Sequence, residues 1–327
     1  MIDLKNKKIL MFSPKFFNYE TLICNEIEAQ GGVVHYYDER NNPTSFQKIL
    51  LRKFHFFMLR KINKYYYAVA EKEKEFSPDY VLFISPETVT KKAIEKLRKS
   101  FPESKFILYM WDSIENKNAK NVYYLFDSCL SFDQLDCKKY DFEFRPLFFA
   151  KDFEGKTDKK NYKYQFSFIG SIHSDRAYIL NQLYKYCEKN AIPFYFYLYI
   201  PGKLMLFFRR LLDKNVRDLI SFIHINSIDK RQVSEILSDT NYIIDINHPK
   251  QIGLTMRTIE MLGLRRKILT TNEYIKTYDF YNSKNQIVID RKNIEVNLSD
   301  ISDGYEHVDE NIYNKYTLKS WLMDILN

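Results

Sequence analysis

The chain has 327 residues, of which 45% are hydrophobic, 17% aromatic and 28% charged, and its mean hydropathy is -0.42. At roughly 150 residues per domain, this length predicts two domains that each bury a core. The composition is typical of a soluble globular protein and excludes a small disulfide-stapled fold or a disordered chain. The net charge of +8 and the pI near 9.0 favour an anionic partner, such as nucleic acid, a membrane surface or a phosphorylated substrate.

Cysteine usage and the first residues of the chain indicate a cytoplasmic protein. The four cysteines form no CxxC pair and have no histidine at zinc-ligand spacing, so we expect reduced thiols. The first residues, MIDLKNKKILMFSP, lack a small-residue cleavage site and predict a first strand rather than a signal peptide. The longest stretch without Asp, Glu, Lys or Arg is 13 residues, Asn190 to Gly202, which is shorter than the roughly 20 that cross a bilayer.

Short β-rich runs alternate with helical segments along the chain, which predicts an α/β fold with parallel sheets built from βαβ units. We expect a doubly wound, Rossmann-like domain over residues 1–150, with helices at about 18–30, 45–75 and 88–99. Its predicted strands are Lys8 to Ser13, Val33 to Tyr37, Tyr80 to Ser85, Phe106 to Trp111 and Ser128 to Phe132.

A polar, charge-rich stretch after Phe149 predicts a domain boundary, so a second domain is expected over residues 151–327. The amphipathic segment Tyr313 to Leu326 is expected to form a last helix that packs back on the N-terminal domain. The strands predicted in the second domain are Gln165 to Ile169, Phe194 to Ile200, Phe222 to Ile225, Tyr242 to Ile246, Lys267 to Thr271 and Gln286 to Asp290.

The first segment that could carry chemistry is Phe166 to Arg176, which has a strand that ends in Gly170, a short polar loop that begins with Ser171, and a helix that starts near Ser174. A glycine at the carboxyl end of a strand lets a ligand approach the backbone, and a helix N-terminus attracts an anion. Arg176 could add a bidentate phosphate contact. The alternative is that Ser174 is an N-cap and Arg176 a solvated surface residue.

The second segment runs from Asp245 to Asn272 and repeats the pattern of strand, glycine-containing loop, helix and strand. Gly253 precedes the helix, and Gly263 is expected at its C′ position. Arg257 and Glu260 are spaced i,i+3 and share a helix face, as a ligand site or as a surface ion pair. Lys250, just before the glycine-containing entry at Gly253, and the second loop of this type in the same half of the chain favour a site for an anion.

The stretch from Gly253 to Asn272 resembles the donor-binding helix of GT-B-fold glycosyltransferases of bacterial capsule, exopolysaccharide and lipopolysaccharide synthesis. The loop from Gly170 to Arg176 and Asp112 in Tyr-Met-Trp-Asp-Ser are also similar to that family. The resemblance implies two Rossmann-like domains facing each other, with the acceptor bound by the first and the nucleotide-sugar donor by the second. It implies that Glu260 holds the ribose hydroxyls. The remaining donor-binding residues that it implies are Gly170, Ser171, Arg176, Lys250, Gly253, Thr255 and Arg257.

Such a reaction needs stabilisation of a nucleoside diphosphate leaving group, which fixed cations and helix N–H groups supply without a metal. The sequence has no Asp-x-Asp pair to hold a divalent ion, so we expect no metal and no cofactor. In an inverting enzyme a general base must take the acceptor's proton, and Asp112 and His173 are the candidate catalytic residues. Alternatively, Asp112 caps the next helix and His173 is a loop residue or a phosphate donor.

Two basic, aromatic-rich segments suit an anionic membrane surface. The stronger example is Ser45 to Ala70, with six Lys or Arg and no acid, although it also carries the regular apolar stripe of an ordinary core helix. Leu204 to Arg217 is the weaker example.

The sequence therefore predicts a cytoplasmic, metal-independent glycosyltransferase, peripheral on the inner face of the cell membrane. It would transfer a sugar from a nucleotide-sugar donor to a glycan or lipid-linked glycan acceptor. A sugar-nucleotide epimerase on the same fold is one alternative. A non-catalytic nucleic-acid-binding protein is another, although no RNA-binding motif supports it and we expect no nucleic-acid partner.

Overall fold

The computed structural model describes residues 3–16, 18–40, 55–155, 161–249, 251–294, 296, 301 and 304–327. The chain divides into two compact units. The N-terminal unit comprises Met1–Phe148 and Tyr316–Asn327, and the C-terminal unit comprises Phe149–Lys315. Each unit contains a six-stranded sheet in which all paired strands are parallel, which confirms the α/β class.

The sheet of the N-terminal unit has the order β2-β1-β3-β4-β5-β6. Its strands are β1 (Lys8–Ser13), β2 (Val33–Asp38), β3 (Tyr80–Ile84), β4 (Lys105–Met110), β5 (Ser128–Ser131) and β6 (Glu143–Phe144). Its first helices are α1 (Tyr19–Ala29), α2 (His55–Lys72), α3 (Lys91–Ser100) and α4 (Gln134–Tyr140). The central strands are apolar runs buried on both faces, as expected for a parallel sheet covered by helices.

The sheet of the C-terminal unit has the order β12-β11-β10-β7-β8-β9. Its strands are β7 (Tyr164–Ser171), β8 (Phe194–Tyr199), β9 (Ile223–His224), β10 (Thr240–Asp245), β11 (Lys267–Thr270) and β12 (Gln286–Val288). Its helices are α5 (Arg176–Lys189), α6 (Lys203–Leu212), α7 (Lys214–Asp218), α8 (Lys230–Ser238), α9 (Met256–Gly263) and α10 (Glu310–Lys315). Every strand predicted from the sequence is present in one of the two sheets, with bounds shifted by at most two residues.

The prediction of one helix over Tyr313 to Leu326 is wrong, because the chain forms two helices there. The helix α10 ends at Lys315, and α11 runs over Leu318–Leu326. Thr317 between them has extended backbone, and its side chain accepts the Ser320 N–H, so it is the N-cap of a new helix. In the N-terminal unit, Trp321 of α11 is fully buried and contacts the ring of Tyr109 edge-on, with centroids 4.8 Å apart.

Two further features concern the thiols and the membrane. All four cysteines lie in the described part of the chain, and none forms a disulfide. Within the described residues, no helix is both long and apolar enough to span a bilayer.

Candidate active site

The carboxyl edge of the C-terminal unit's sheet carries most of the residues predicted to bind the donor. The strand β7 lies between β8 and β10, so successive strands are added on one side up to β9 and then on the other side up to β12. The order therefore reverses between β7 and β10, and ligands of open α/β sheets bind at such a switch point. Ser171 ends β7 and Asp245 ends β10, so the two predicted loops meet at this point.

Arg176, in the first turn of α5, connects the two strand ends across the switch point. Its Nε and Nη2 donate to the Ile246 carbonyl at 2.9 and 2.6 Å, and its Nη1 donates to the Ser171 carbonyl at 3.1 Å. The Arg176 side chain is therefore half-buried and hydrogen-bonded, so the alternative that it is a solvated surface residue is wrong. Its role as a phosphate contact stays a prediction.

Burial lowers the pKa of the Arg176 guanidinium, the Asp245 carboxylate opposes this change, and the positive charges of Arg257 and Arg291 add to it. Three arginines therefore act on one another at this edge of the sheet. The carboxylates of Asp175 and Asp245 offset part of this positive charge, and a bound anion would offset more of it.

Arg291, which the sequence reasoning missed, braces the same two loops. It follows β12, and its Nη1 donates to the Asp175 carboxylate at 2.7 Å. Its Nη2 donates to both the carbonyl and the side-chain oxygen of Asn247. The side-chain oxygen of Asn247 also accepts from the Thr271 hydroxyl at 2.9 Å, so the loops after β7, β10, β11 and β12 are joined. The sequence could have indicated Arg291 through its position directly after the last predicted strand, because that strand ends on the edge where the other site residues lie.

The N-terminus of α9 is fixed to the end of β10 by a buried carboxylate. Asp245 is 4% exposed, and its Oδ2 accepts from the hydroxyls of Thr255 and Thr258, each at 2.8 Å. Thr255 is also the N-cap of α9, because its hydroxyl accepts the Thr258 N–H at 3.2 Å. This arrangement gives the predicted donor helix a defined position over the strand end, with Arg257 and Glu260 half-buried on it.

The glycines behave differently from one another. Gly253 is buried in the loop before α9, and Asn272 donates from its side-chain amide to the carbonyls of Ile252 and Gly253 at 2.9 and 3.4 Å. Gly170 is the next-to-last residue of β7 and pairs with Leu198, so the strand continues one residue beyond the predicted end.

The prediction that Gly263 is the C′ residue of the donor helix is wrong. Gly263 is the last residue of α9, and the left-handed residue beyond it is Arg265, with φ of 52°. A Cβ at Gly263 would lie 2.5 Å from the Phe149 ring and 2.6 Å from the Phe153 carbonyl. Glycine is required there by close packing and not by backbone conformation.

His173 lies in the loop after β7 and is half-buried. Burial lowers its pKa to about 4, and the charges of Arg176, His248 and Arg209 add to this shift. The imidazole is therefore neutral at pH 7, and a base works best when its pKa is near the operating pH. Ser174 beside it has φ of 51°, and α5 begins only at Arg176 with Asp175 as N-cap, so Ser174 is not the N-cap considered above.

Asp112 lies in the N-terminal unit, after the carboxyl end of β4. Its Oδ2 is 3.2 Å from Lys117 Nζ, its Oδ1 accepts the Ser113 N–H at 3.0 Å, and its side chain is 45% exposed. The short helical turn Ile114–Asn116 that follows is capped by Asp136, whose Oδ2 accepts the Ile114 N–H at 2.8 Å. Asp112 is therefore an accessible, ion-paired carboxylate, and its role as a base stays a prediction.

Two predicted features lie partly or wholly outside the described residues. Lys250 is one of them. Of the basic segment Ser45 to Ala70, the structure describes only the part from residue 55, where Ile62, Tyr66 and Val69 are buried in the core of the N-terminal unit.

In the described residues, no group of three or more His, Cys, Asp or Glu side chains is placed to hold a metal. Metal independence stays a prediction.

Comparison with known structures identifies the architecture. A glycosyltransferase from Rickettsia africae is 14% identical, with a TM-score of 0.61 over 98% of this chain and 97% of that one. The lipopolysaccharide outer core galactosyltransferase WaaB is 12% identical, with a TM-score of 0.58 over 98% of both chains. Anabaena HepE in complex with UDP-glucose is 9% identical, with a TM-score of 0.53 over 97% and 94%.

The chain has the GT-B fold. The two predicted Rossmann-like units are thereby confirmed as its architecture. No protein-family model matches the sequence, and comparison with curated proteins gives no significant match. At these identities the likeness establishes the fold, and the activity has to be argued from the site.

Proposed function

We propose that the protein is a glycosyltransferase that moves a sugar from a nucleotide-sugar donor to a hydroxyl of a bacterial surface glycan or its lipid-linked precursor. The observation that carries the proposal is the concentration of Arg176, Arg257 and Arg291 at the switch point of the C-terminal unit, beside the N-terminus of α9. The GT-B neighbours support it, since one of them is in complex with UDP-glucose.

The diphosphate of the donor is assigned to this switch point. Its negative charge would add to that of Asp175 and Asp245 in balancing the arginines. The N–H groups of Met256 and Arg257, the first two of α9, have no acceptor within the helix and can donate to phosphate oxygens. Because charge on the diphosphate increases as the glycosidic bond breaks, these fixed cations favour the transition state over the ground state. No divalent ion is needed for this part of the reaction.

The nucleoside is assigned to the same helix, one turn further along. Glu260 lies one turn beyond Arg257, and a carboxylate accepts hydrogen bonds from two vicinal ribose hydroxyls. Asp245 positions the helix through Thr255 and Thr258, while Arg176 and Arg291 hold the loops that would contact the phosphates. Of these residues, Arg257 and Glu260 would contact the donor directly, whereas Asp245 and Arg291 are positioning residues.

The acceptor is assigned to the N-terminal unit, with Asp112 as the general base if the reaction inverts configuration. Its exposed position after β4 allows contact with an acceptor hydroxyl. Lys117, whose Nζ lies 3.2 Å from Oδ2 of Asp112, would help to hold this carboxylate in position.

A screen of ligands tests the proposal. The full chain would be heated with nucleoside diphosphates, sugar nucleotides and short oligonucleotides, because a ligand that binds only the native state raises the apparent stability. We expect one nucleoside diphosphate and its sugar nucleotides to raise the melting temperature, and slow donor hydrolysis to release that diphosphate. Stabilisation by oligonucleotides alone would support the nucleic-acid-binding alternative, and interconversion of the donor sugar without release would support the epimerase.

A further inference from the structure

The helix α6 (Lys203–Leu212) exposes an unusual amount of apolar surface. Six of its ten residues are large apolar side chains between 48% and 82% exposed. They are Leu204, Met205, Phe207, Phe208, Leu211 and Leu212. Scattered exposed apolar residues are ordinary, but a contiguous cluster marks a surface that something covers.

The exposed side chains form one face. With about 100° between successive residues, they occupy a continuous arc of about 160° from Phe207 round to Met205. Leu206 lies on the opposite side and packs against the core of the C-terminal unit. An ordinary surface helix buries its apolar stripe against the core, and α6 turns its stripe outward instead.

Basic residues border this face. On the helix, Arg209 lies beyond Met205, and Arg210 and Lys203 lie beyond Phe207, so cations flank the apolar arc on both sides. Over residues 203–217 the chain has five basic residues and one acid, Asp213. Arg217 also donates to the carbonyls of Arg210 and Leu211 at 3.0 and 3.1 Å, which holds the end of the helix in place.

We propose that α6 docks the protein on an anionic lipid bilayer, lying in the interface plane with the Phe207 and Leu211 face among the acyl chains and its flanking cations at the lipid phosphates. A ten-residue helix with a polar border inserts in this way rather than crossing the membrane. Charge argues against a second copy of the chain as the occupant, because a symmetric pair would bring the same cations together.

The described part of the other basic helix, α2, offers no comparable face. From Leu59 to Lys72 its core residues are buried, and Tyr67, at 38%, is the large hydrophobic side chain that stands exposed there. Among the described residues, the exposed apolar face therefore lies on the segment that sequence reasoning ranked second.

The docking surface and the proposed donor site share one edge of the sheet. The strands β7 and β8 are parallel neighbours in which Ser171 pairs with Tyr199, so the loop with His173 and the turn into α6 leave the same end of the sheet. Gly202, with φ of 86°, makes that turn. If the proposed function holds, docking by α6 brings donor chemistry close to the bilayer, which suits a lipid-linked acceptor. The docking itself does not depend on that function.

Flotation of the full chain with vesicles tests the proposal without any nucleotide. Vesicles of phosphatidylglycerol mixed with phosphatidylcholine are compared with phosphatidylcholine alone, for the parent and for Phe207→Asp/Leu211→Asp. The matched control is Tyr124→Asp/Leu135→Asp, which changes one aromatic and one leucine that are 58% and 51% exposed in the N-terminal unit. We expect the α6 variant to lose at least tenfold in partition to anionic vesicles while the control retains it. A Lys203→Gln/Arg210→Gln variant should lose the preference for anionic lipid.

A spectroscopic arm reports insertion directly. The chain has two tryptophans, Trp111 and Trp321, and Phe207→Trp adds one whose fluorescence brominated lipids should quench beyond the parent's response. Unchanged partition of Phe207→Asp/Leu211→Asp, or absence of parent binding to anionic vesicles, would overturn the proposal. So would light scattering that shows a parent dimer converted to a monomer by the α6 variant, since a second copy would then be the occupant.

Discussion

Replacing Asp245 by alanine should loosen the helix on which the proposed donor site depends. The carboxylate is buried and accepts from the Thr255 and Thr258 hydroxyls at 2.8 Å each. A hydrogen bond to a charged group contributes about 1.5–3 kcal/mol, so losing two should cost about 3–6 kcal/mol of local stability. This is a large fraction of the roughly 5–15 kcal/mol by which a domain is stable.

The assay has to report on the C-terminal unit. Trp111 and Trp321 both belong to the N-terminal unit, so tryptophan fluorescence would follow the wrong part of the chain. Hydrogen exchange of peptides covering residues 254–264 measures the free energy of opening α9 itself. Asp245→Asn, which keeps an acceptor oxygen and loses the charge, should cost less than Asp245→Ala. Thr258→Val, which removes one donor, should cost about 1–2 kcal/mol.

Combining the changes tests whether the contacts act as one unit. In Asp245→Ala/Thr258→Val the cost should be smaller than the sum of the single costs, because both changes remove the same hydrogen bond. Additive effects, or a cost below about 1 kcal/mol for Asp245→Ala, would refute the reasoning that this carboxylate fixes the helix.

Three further predictions concern the same edge of the sheet. Arg291→Lys keeps the charge but loses the two-sided guanidinium contacts with Asp175 and Asn247, so nucleotide affinity measured by calorimetry should fall at least fivefold. The control Lys284→Gln removes an exposed cation on another loop and should leave the affinity unchanged. The pKa of His173 should rise from about 4 when a diphosphate binds, so affinity should increase from pH 7 to pH 5; an unchanged imidazole titration by NMR would contradict this. Transfer should survive excess EDTA, and complete loss restored by Mg²⁺ or Mn²⁺ would show that the side-chain cations are insufficient.

The strands could be predicted closely because those of parallel sheets are short apolar runs. The run from Lys8 to Ser13, for example, has the predicted bounds. The short β6 and the helix α4 were missed, because two- and seven-residue elements carry little periodicity. The break between α10 and α11 depends on a cap at Thr317 that interrupts an otherwise helical pattern.

The candidate site was predictable as two loops but not as a network. Glycine, a strand and a helix start indicated the loops after β7 and β10, and the structure brings them together at the switch point. Arg176 binds a carbonyl and Arg291 joins four loops through contacts between residues 44 to 116 positions apart in the sequence. Such distant contacts cannot be read from local sequence patterns. The outward orientation of α6 was equally hidden, because the sequence shows an apolar stripe without showing which face the core covers.

The proposed donor site depends most on Glu260 as the ribose ligand, so the nucleotide affinity of a Glu260 variant is its most direct test. Isothermal titration would use the nucleoside diphosphate that best stabilises the parent, with Glu260→Ala and, as control, Glu188→Ala, an exposed glutamate near the end of α5. Loss of two charged hydrogen bonds predicts a dissociation constant about 10 to 100 fold weaker for Glu260→Ala, with unchanged folding and an unaffected control. An unchanged dissociation constant for Glu260→Ala would remove the donor site from α9 and contradict the proposed function.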